Sequence, residues 1–102
     1  MKKYLYAFTL GLSLISSSAW ADQTINIKDH LFAPDKVTVA VGTKVTWVNH
    51  DADPHTVVSQ DRKFRSSALD TNDNFSYIFT EPGTYKYFCT LHPTMLGTVT
   101  VK

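Results

Sequence analysis

Between Thr24 and Val101 no run of ten residues carries apolar side chains at helical spacing. Short segments rich in Val, Thr, Tyr and Phe recur instead, and each is closed by Gly, Pro, Asn or Asp. The pattern predicts strands at 24–28, 36–41, 44–49, 55–60, 74–80, 84–89 and 97–101. A chain built this way is all-β, a sandwich or a barrel, because each alternating strand has one apolar face to bury. Gly42-Thr43 lies between two of these strands and is expected to make a tight hairpin. Glu81-Pro82-Gly83 is expected to turn the chain, Pro presetting one dihedral and Gly taking a positive one. The intervening stretch 61–73 is polar and charged around Phe64 and Leu69, which predicts a surface excursion pinned by those two groups.

The period of two also assigns faces. Val45, Trp47 and Asn49 share one side of their strand, and Thr46 and Val48 the other; Tyr85, Tyr87 and Cys89 share a side opposite Lys86 and Phe88. Cys89 is therefore expected to point inward, while Trp47, Phe75, Tyr77, Phe79, Tyr85 and Tyr87 pack the core. Phe88 faces out, as an edge filler or as part of a partner surface.

The start of the chain reads differently. Lys2 and Lys3 precede an apolar run from Tyr4 to Ile15, and Ala19-Trp20-Ala21 supplies small residues for cleavage. Residues 1–21 are expected to be a secretory signal peptide, with the mature protein beginning at Asp22; the run is shorter than the roughly 20 residues a spanning anchor needs. Export to the periplasm follows, with no membrane span in the mature form. The remaining 81 of 102 residues make one domain, and eight Lys and Arg against nine Asp and Glu give it a net charge of −1. Nothing in that balance points to nucleic acid. The nearest charge run, Arg62, Lys63 and Arg65, reads as a solvated turn or as a docking patch for an acidic partner.

An exported domain this small is commonly stapled by disulfides, and Cys89 has no partner in its own chain. A free thiol in an oxidising compartment is a liability unless it is buried as packing, held by a metal or used as a nucleophile. Its neighbours favour the metal. Cys89-Thr90-Leu91-His92-Pro93-Thr94-Met95 places thiolate, imidazole and thioether within seven residues after a strand, and Pro93 restrains the loop. His55 opens another strand after the turn Asp53-Pro54. Two His, one Cys and a weak axial Met suit copper in both oxidation states. Zinc is the rival metal, but its structural sites use four strong ligands and its catalytic sites keep a water, so neither needs Met95.

Those residues carry a resemblance. The chain is similar to the cupredoxins, the type 1 blue-copper proteins, and within them its ligand-loop spacing is most like the amicyanin branch, with plastocyanins and pseudoazurins more distant. The likeness extends over Phe32-Ala33-Pro34, Val39-Ala40-Val41-Gly42, Val45-Thr46-Trp47-Val48-Asn49, Pro54-His55-Thr56-Val57, Phe75-Ser76-Tyr77 and Glu81-Pro82-Gly83-Thr84-Tyr85. It implies a small Greek-key β-sandwich of seven or eight strands holding one copper ion through His55, Cys89, His92 and Met95. It also implies one-electron transfer between redox protein partners that dock transiently near a surface-facing His92, by a monomer that is not an enzyme. Pro34, Ala52, Pro54, Leu91 and Pro93 would form the apolar rim there. Thr56 stands where the resemblance implies an Asn tying the two ligand loops, and a Thr hydroxyl donates only one hydrogen bond. His30 and His50 match no ligand position and are expected to face solvent, with a second metal site as the sharper alternative.

Two other functions use the same residues. A copper carrier or copper-tolerance protein would need exposed, exchangeable ligands, whereas Cys89 is expected to be buried in a preformed sandwich. A thiol enzyme would need an accessible Cys89 with an oxyanion-stabilising group, and no second titratable group for acid–base work is expected nearby.

Overall fold

Alternation of buried and exposed residues resolves into eight strands: β1 (Asp22–Lys28), β2 (Leu31–Ala33), β3 (Lys36–Val39), β4 (Lys44–Asn49), β5 (Val58–Ser59), β6 (Asn74–Ile78), β7 (Gly83–Phe88) and β8 (Leu96–Val101). The computed structural model describes residues 22–102; the expected signal segment, 1–21, lies outside the described residues. Among the described residues there is no helix, and none is long and apolar enough to cross a membrane.

The strands form two four-stranded sheets, in the orders β2-β1-β4-β6 and β3-β8-β7-β5. Both are mixed, because β1 runs parallel to β4 and β3 parallel to β8. The core fills the space between them. Ile25, Ile27, Val45 and Trp47 come from one sheet, and Val39, Tyr85, Tyr87, Val99 and Val101 from the other. Trp47 meets Tyr87 edge to face with ring centroids 5.3 Å apart, the arrangement favoured by aromatic quadrupoles. The expected excursion 61–73 is pinned as the sequence suggests, with Phe64 and Leu69 buried in the same cluster.

The structure corrects three expectations. Gly42-Thr43 is not a hairpin: β3 and β4 belong to different sheets, and the turn carries the chain from one to the other, Gly42 N–H donating to Phe79 O at 2.7 Å with φ of 95°. The expected strand at 55–60 shrinks to β5, with a lone bridge between His55 and Leu69 before it. The short β2 was not expected. It pairs back on β1 through the two-residue turn Asp29-His30, with Lys28 opposite Leu31.

This topology collects three loops at one pole. Parallel pairing sets Ile27 beside Asn49, so the ends of β1 and β4 lie together. Antiparallel β7 and β8 put Phe88 beside Leu96, so the loop 89–95 closes between them. Within that loop Cys89 N–H donates to Met95 O at 3.3 Å and Met95 N–H to His92 O at 2.9 Å.

Close packing makes one glycine indispensable. A Cβ on Gly97 would run into the Tyr87 ring and hydroxyl, and Tyr87 is fully buried. Gly97→Ala should therefore destabilise the domain by about 2 kcal/mol through overpacking; an unchanged midpoint in urea unfolding would contradict this packing.

Candidate metal centre

β4 ends on Asn49, which is fully buried and satisfied on every side. Its Nδ2 donates to Asp53 O (3.0 Å) and Leu69 O (2.9 Å), and its Oδ1 accepts from Asp51 N–H (2.9 Å). A buried amide so fully paired fixes the loop that follows. Asp51 then spreads that order. Its carboxylate accepts from Asp29 N–H at 2.7 Å, from His30 N–H at 2.9 Å and from His55 Nε2–H at 2.9 Å. Burial raises the Asp51 pKa, but the backbone donors of His30 and Asp29 and the His55 ring outweigh it and hold the carboxyl at about 2, below the ordinary 3.8.

Because Asp51 can only accept, the proton on His55 sits on Nε2 and leaves Nδ1 with its lone pair. That Nδ1 lies 3.8 Å from Cys89 Sγ, and His92 Nδ1 lies 3.9 Å from the same sulfur. Bonds of about 2.0 Å to nitrogen and about 2.3 Å to sulfur place two donors roughly 3.7 Å apart around one trigonal ion. The three atoms thus have the spacing of co-ligands. His55 and Cys89 are fully buried, Met95 is buried in the same cluster, and His92 is half-buried.

Thr56 does tie the ligand loops. Its Oγ1 accepts from Thr90 N–H at 2.8 Å and pairs with Thr90 Oγ1 at 2.8 Å, while its backbone N–H donates to Cys89 Sγ at 3.3 Å. One donor suffices because the hydroxyl also accepts, and Thr90 supplies the complementary group.

One reading of the surroundings needs correction. His50 is exposed, bonded through Nε2 to Asn26 Oδ1 at 2.8 Å, and His30 is exposed as expected but stands beside the site. Its ring lies edge-on to His55 and His92, with centroids 5.1 Å and 4.7 Å away, and its Nε2 donates to Asp53 Oδ2 at 2.9 Å. Titratable groups do crowd the pole, against the expectation of none: His30 joins Asp51 and Asp53, and the roles of the two carboxylates were missed. Asp51 and Asp53 stand within four residues of His55 in sequence, and that spacing was the available signal.

The comparisons fit this geometry. The family model described as cupredoxin-like domain matches residues 4–101. The chain belongs to the cupredoxin-like family. It is 31% identical over 97 residues to amicyanin-alpha of Methylorubrum extorquens, covering 90% of this chain and 82% of that protein. It spans 63% of the length of the amicyanins of Paracoccus denitrificans and Paracoccus versutus. Among solved structures, a purple cupredoxin from Nitrosopumilus maritimus superposes with TM-score 0.75 at 37% identity, over 79% of this chain and all of that one. A variant of amicyanin in its Cu(I) form superposes with TM-score 0.74 at 34% identity, over 79% of this cupredoxin and 82% of that chain.

The Asp51 network yields a prediction with a sign. Its carboxylate bonds contribute fully above the ordinary pKa of 3.8 and are lost as pH falls toward about 2. Asp51→Asn should destabilise the metal-free protein at neutral pH by about 2 kcal/mol and flatten the acid limb of its stability curve. Equal urea midpoints for both proteins at neutral pH would refute this.

Proposed function

We propose that this protein is an exported blue-copper electron carrier, holding one copper ion through His55 Nδ1, Cys89 Sγ, His92 Nδ1 and the Met95 thioether. The observation that carries the reading is the spacing of the two Nδ1 atoms, 3.8 and 3.9 Å from one buried sulfur, with His55 supplied by one anchored segment and Cys89 and His92 by another. The donor set fits copper: thiolate and thioether suit Cu(I) and imidazole suits both states. Copper, when bound, supplies exchange of one electron between Cu(I) and Cu(II).

The chain does the rest by holding still. Asp51 fixes the His55 tautomer and ring plane, the Thr56–Thr90 pair locks the two loops, and the Thr56 N–H stabilises charge on Cys89. Burial of Cys89 keeps water and thiol reagents from the sulfur, which weighs against a thiol enzyme and against a carrier with exposed, exchangeable ligands. The export reading rests on the basic start, the apolar run and Ala19-Trp20-Ala21.

Electrons leave where the site is thinnest. His92 is the least buried of the four, and around its loop Leu91 is 50% exposed, with Pro34, Ala52, Pro54 and Pro93 also exposed. Leu31 and Leu96 extend this apolar surface. Redox partners dock there transiently, and the protein acts as a monomer.

The deciding experiment is the absorption spectrum of the protein loaded with Cu(II): an intense thiolate charge-transfer band in the red is expected, and a colourless copper-bound protein would overturn the reading. Cys89→Ser should abolish the band in a domain that still folds. Met95→Leu should keep it and raise the reduction potential.

Docking gives a further prediction, since a near-neutral domain with an apolar rim should associate with little dependence on salt. Leu91→Glu or Pro93→Glu should slow electron transfer more than neutralising Arg62, Lys63 and Arg65 together. The reverse ranking in stopped-flow kinetics would move the docking surface to the basic cluster.

A further inference from the structure

One ring beyond the four expected ligands converges on the same point. A nitrogen from each of His30, His55 and His92 lies within 4.8 Å of the others, and His30 stands on the solvent side. We propose that His30, oriented by Asp53, forms with His92 a receiving site that binds an incoming copper ion before it moves inward to His55, Cys89 and Met95. The inference deepens the copper-centre reading and rests on it.

Access is the first argument. His55 and Cys89 are 0% exposed and Met95 3%, so the half-buried His92 is the most accessible of the four to an ion from solvent. The His30 side chain, 47% exposed, stands at that opening with its ring centroid 4.7 Å from that of His92.

The second argument is that His30 is prepared as His55 is. Each ring gives its Nε2–H to a carboxylate 2.9 Å away, His55 to Asp51 and His30 to Asp53. A carboxylate behind an imidazole fixes the tautomer and raises the basicity of the other nitrogen, the usual support of a metal-binding histidine. His30 therefore carries a free Nδ1 lone pair without lying in the finished centre.

Backbone conformation supplies a third. Asp29 and His30 both take left-handed φ, 55° and 59°, in a two-residue hairpin turn where Asn-Gly is the favoured pair. A histidine at the second position is strained, and the strain is held by the two backbone bonds to Asp51. Gly would fill the turn at lower cost, but it brings no donor to the opening.

The handover needs no change of oxidation state. Imidazole and water suit Cu(II) as it arrives. His92 belongs to both sites, so His30 would give way to His55 while His92 keeps hold of the ion. Cys89 loses its thiol proton to solvent as the sulfur bond forms.

The test loads the metal-free full chain with limiting aquated Cu(II) in a stopped-flow instrument and follows the red charge-transfer band. His30→Asn keeps a residue that tolerates left-handed φ but is a poor copper donor. It should reach the same final spectrum as the parent protein, with loading slowed about tenfold or more. In a second arm, Cys89→Ala should hold Cu(II) at the opening, with electron paramagnetic resonance showing two coupled nitrogens and one fewer when His30→Asn is added. Equal loading rates would overturn the proposal. So would a changed final spectrum in His30→Asn, which would make His30 a ligand of the finished centre. If the parent protein itself develops no band, the copper-centre reading falls, a result distinct from either of these.

Discussion

A single carboxylate organises the pole on which this cupredoxin concentrates its chemistry. Asp51 accepts hydrogen bonds from two backbone amides of the β1–β2 turn and from the ring of His55. An amide in its place would offer one acceptor oxygen to the same donors and bring an N–H to face one of them. The negative charge also matters, because hydrogen bonds to an ionised acceptor are roughly twice as strong as neutral ones. Asn49 makes this possible by seating the loop from below, with all of its own polar atoms used inside the fold.

The sandwich supplies the other half of the constraint. Cys89 follows β7, and His55 lies three residues before β5, which pairs with β7 in the same sheet; Asn49, at the end of β4, ties that segment to the other sheet through Asp53 O and Leu69 O. The Thr56–Thr90 pair carries the β5–β7 register two residues beyond its last ladder pair, Val58 opposite Phe88. A site held in place by bonds to both sheets resists rearrangement when its charge changes, which is the mechanical requirement of an electron carrier. A carrier of ions needs the opposite.

Much of this was legible in the sequence, and the failures have physical causes. Alternation placed Trp47, Asn49, Tyr87 and Cys89 on inward faces, because a half-buried strand leaves a period of two in its own residues. The loop 89–95 stood out because three donor types lie within seven residues. Gly42-Thr43 misled because a turn between sheets and a turn within one sheet use the same residues, and only the long-range pairing of β3 with β8 separates them. Thr56 looked deficient because a hydroxyl's accepting capacity goes unseen until its partner, Thr90, distant in sequence, is known. His30 is exposed as read, but its place beside the site was hidden for the same reason: the register that folds β2 back on β1 carries it there.

The turn that carries His30 can be weighed. Two non-glycine residues in the left-handed region cost about 1–2 kcal/mol each. Two backbone bonds to the Asp51 carboxylate return about 1.5–3 kcal/mol each, so the carboxylate alone is sufficient to hold the conformation. The same oxygens receive His55 Nε2–H, so the turn and the inner histidine share one anchor. Asp51 therefore anchors the His55 ring and the backbone that carries His30, whose own ring bonds Asp53 and stands edge-on to His55 with centroids 5.1 Å apart. Any displacement of the carboxylate moves both rings, whereas a change at Asp53 frees only the outer one. The inner histidine is thereby insulated from events at the surface, and the outer one remains free to respond to them.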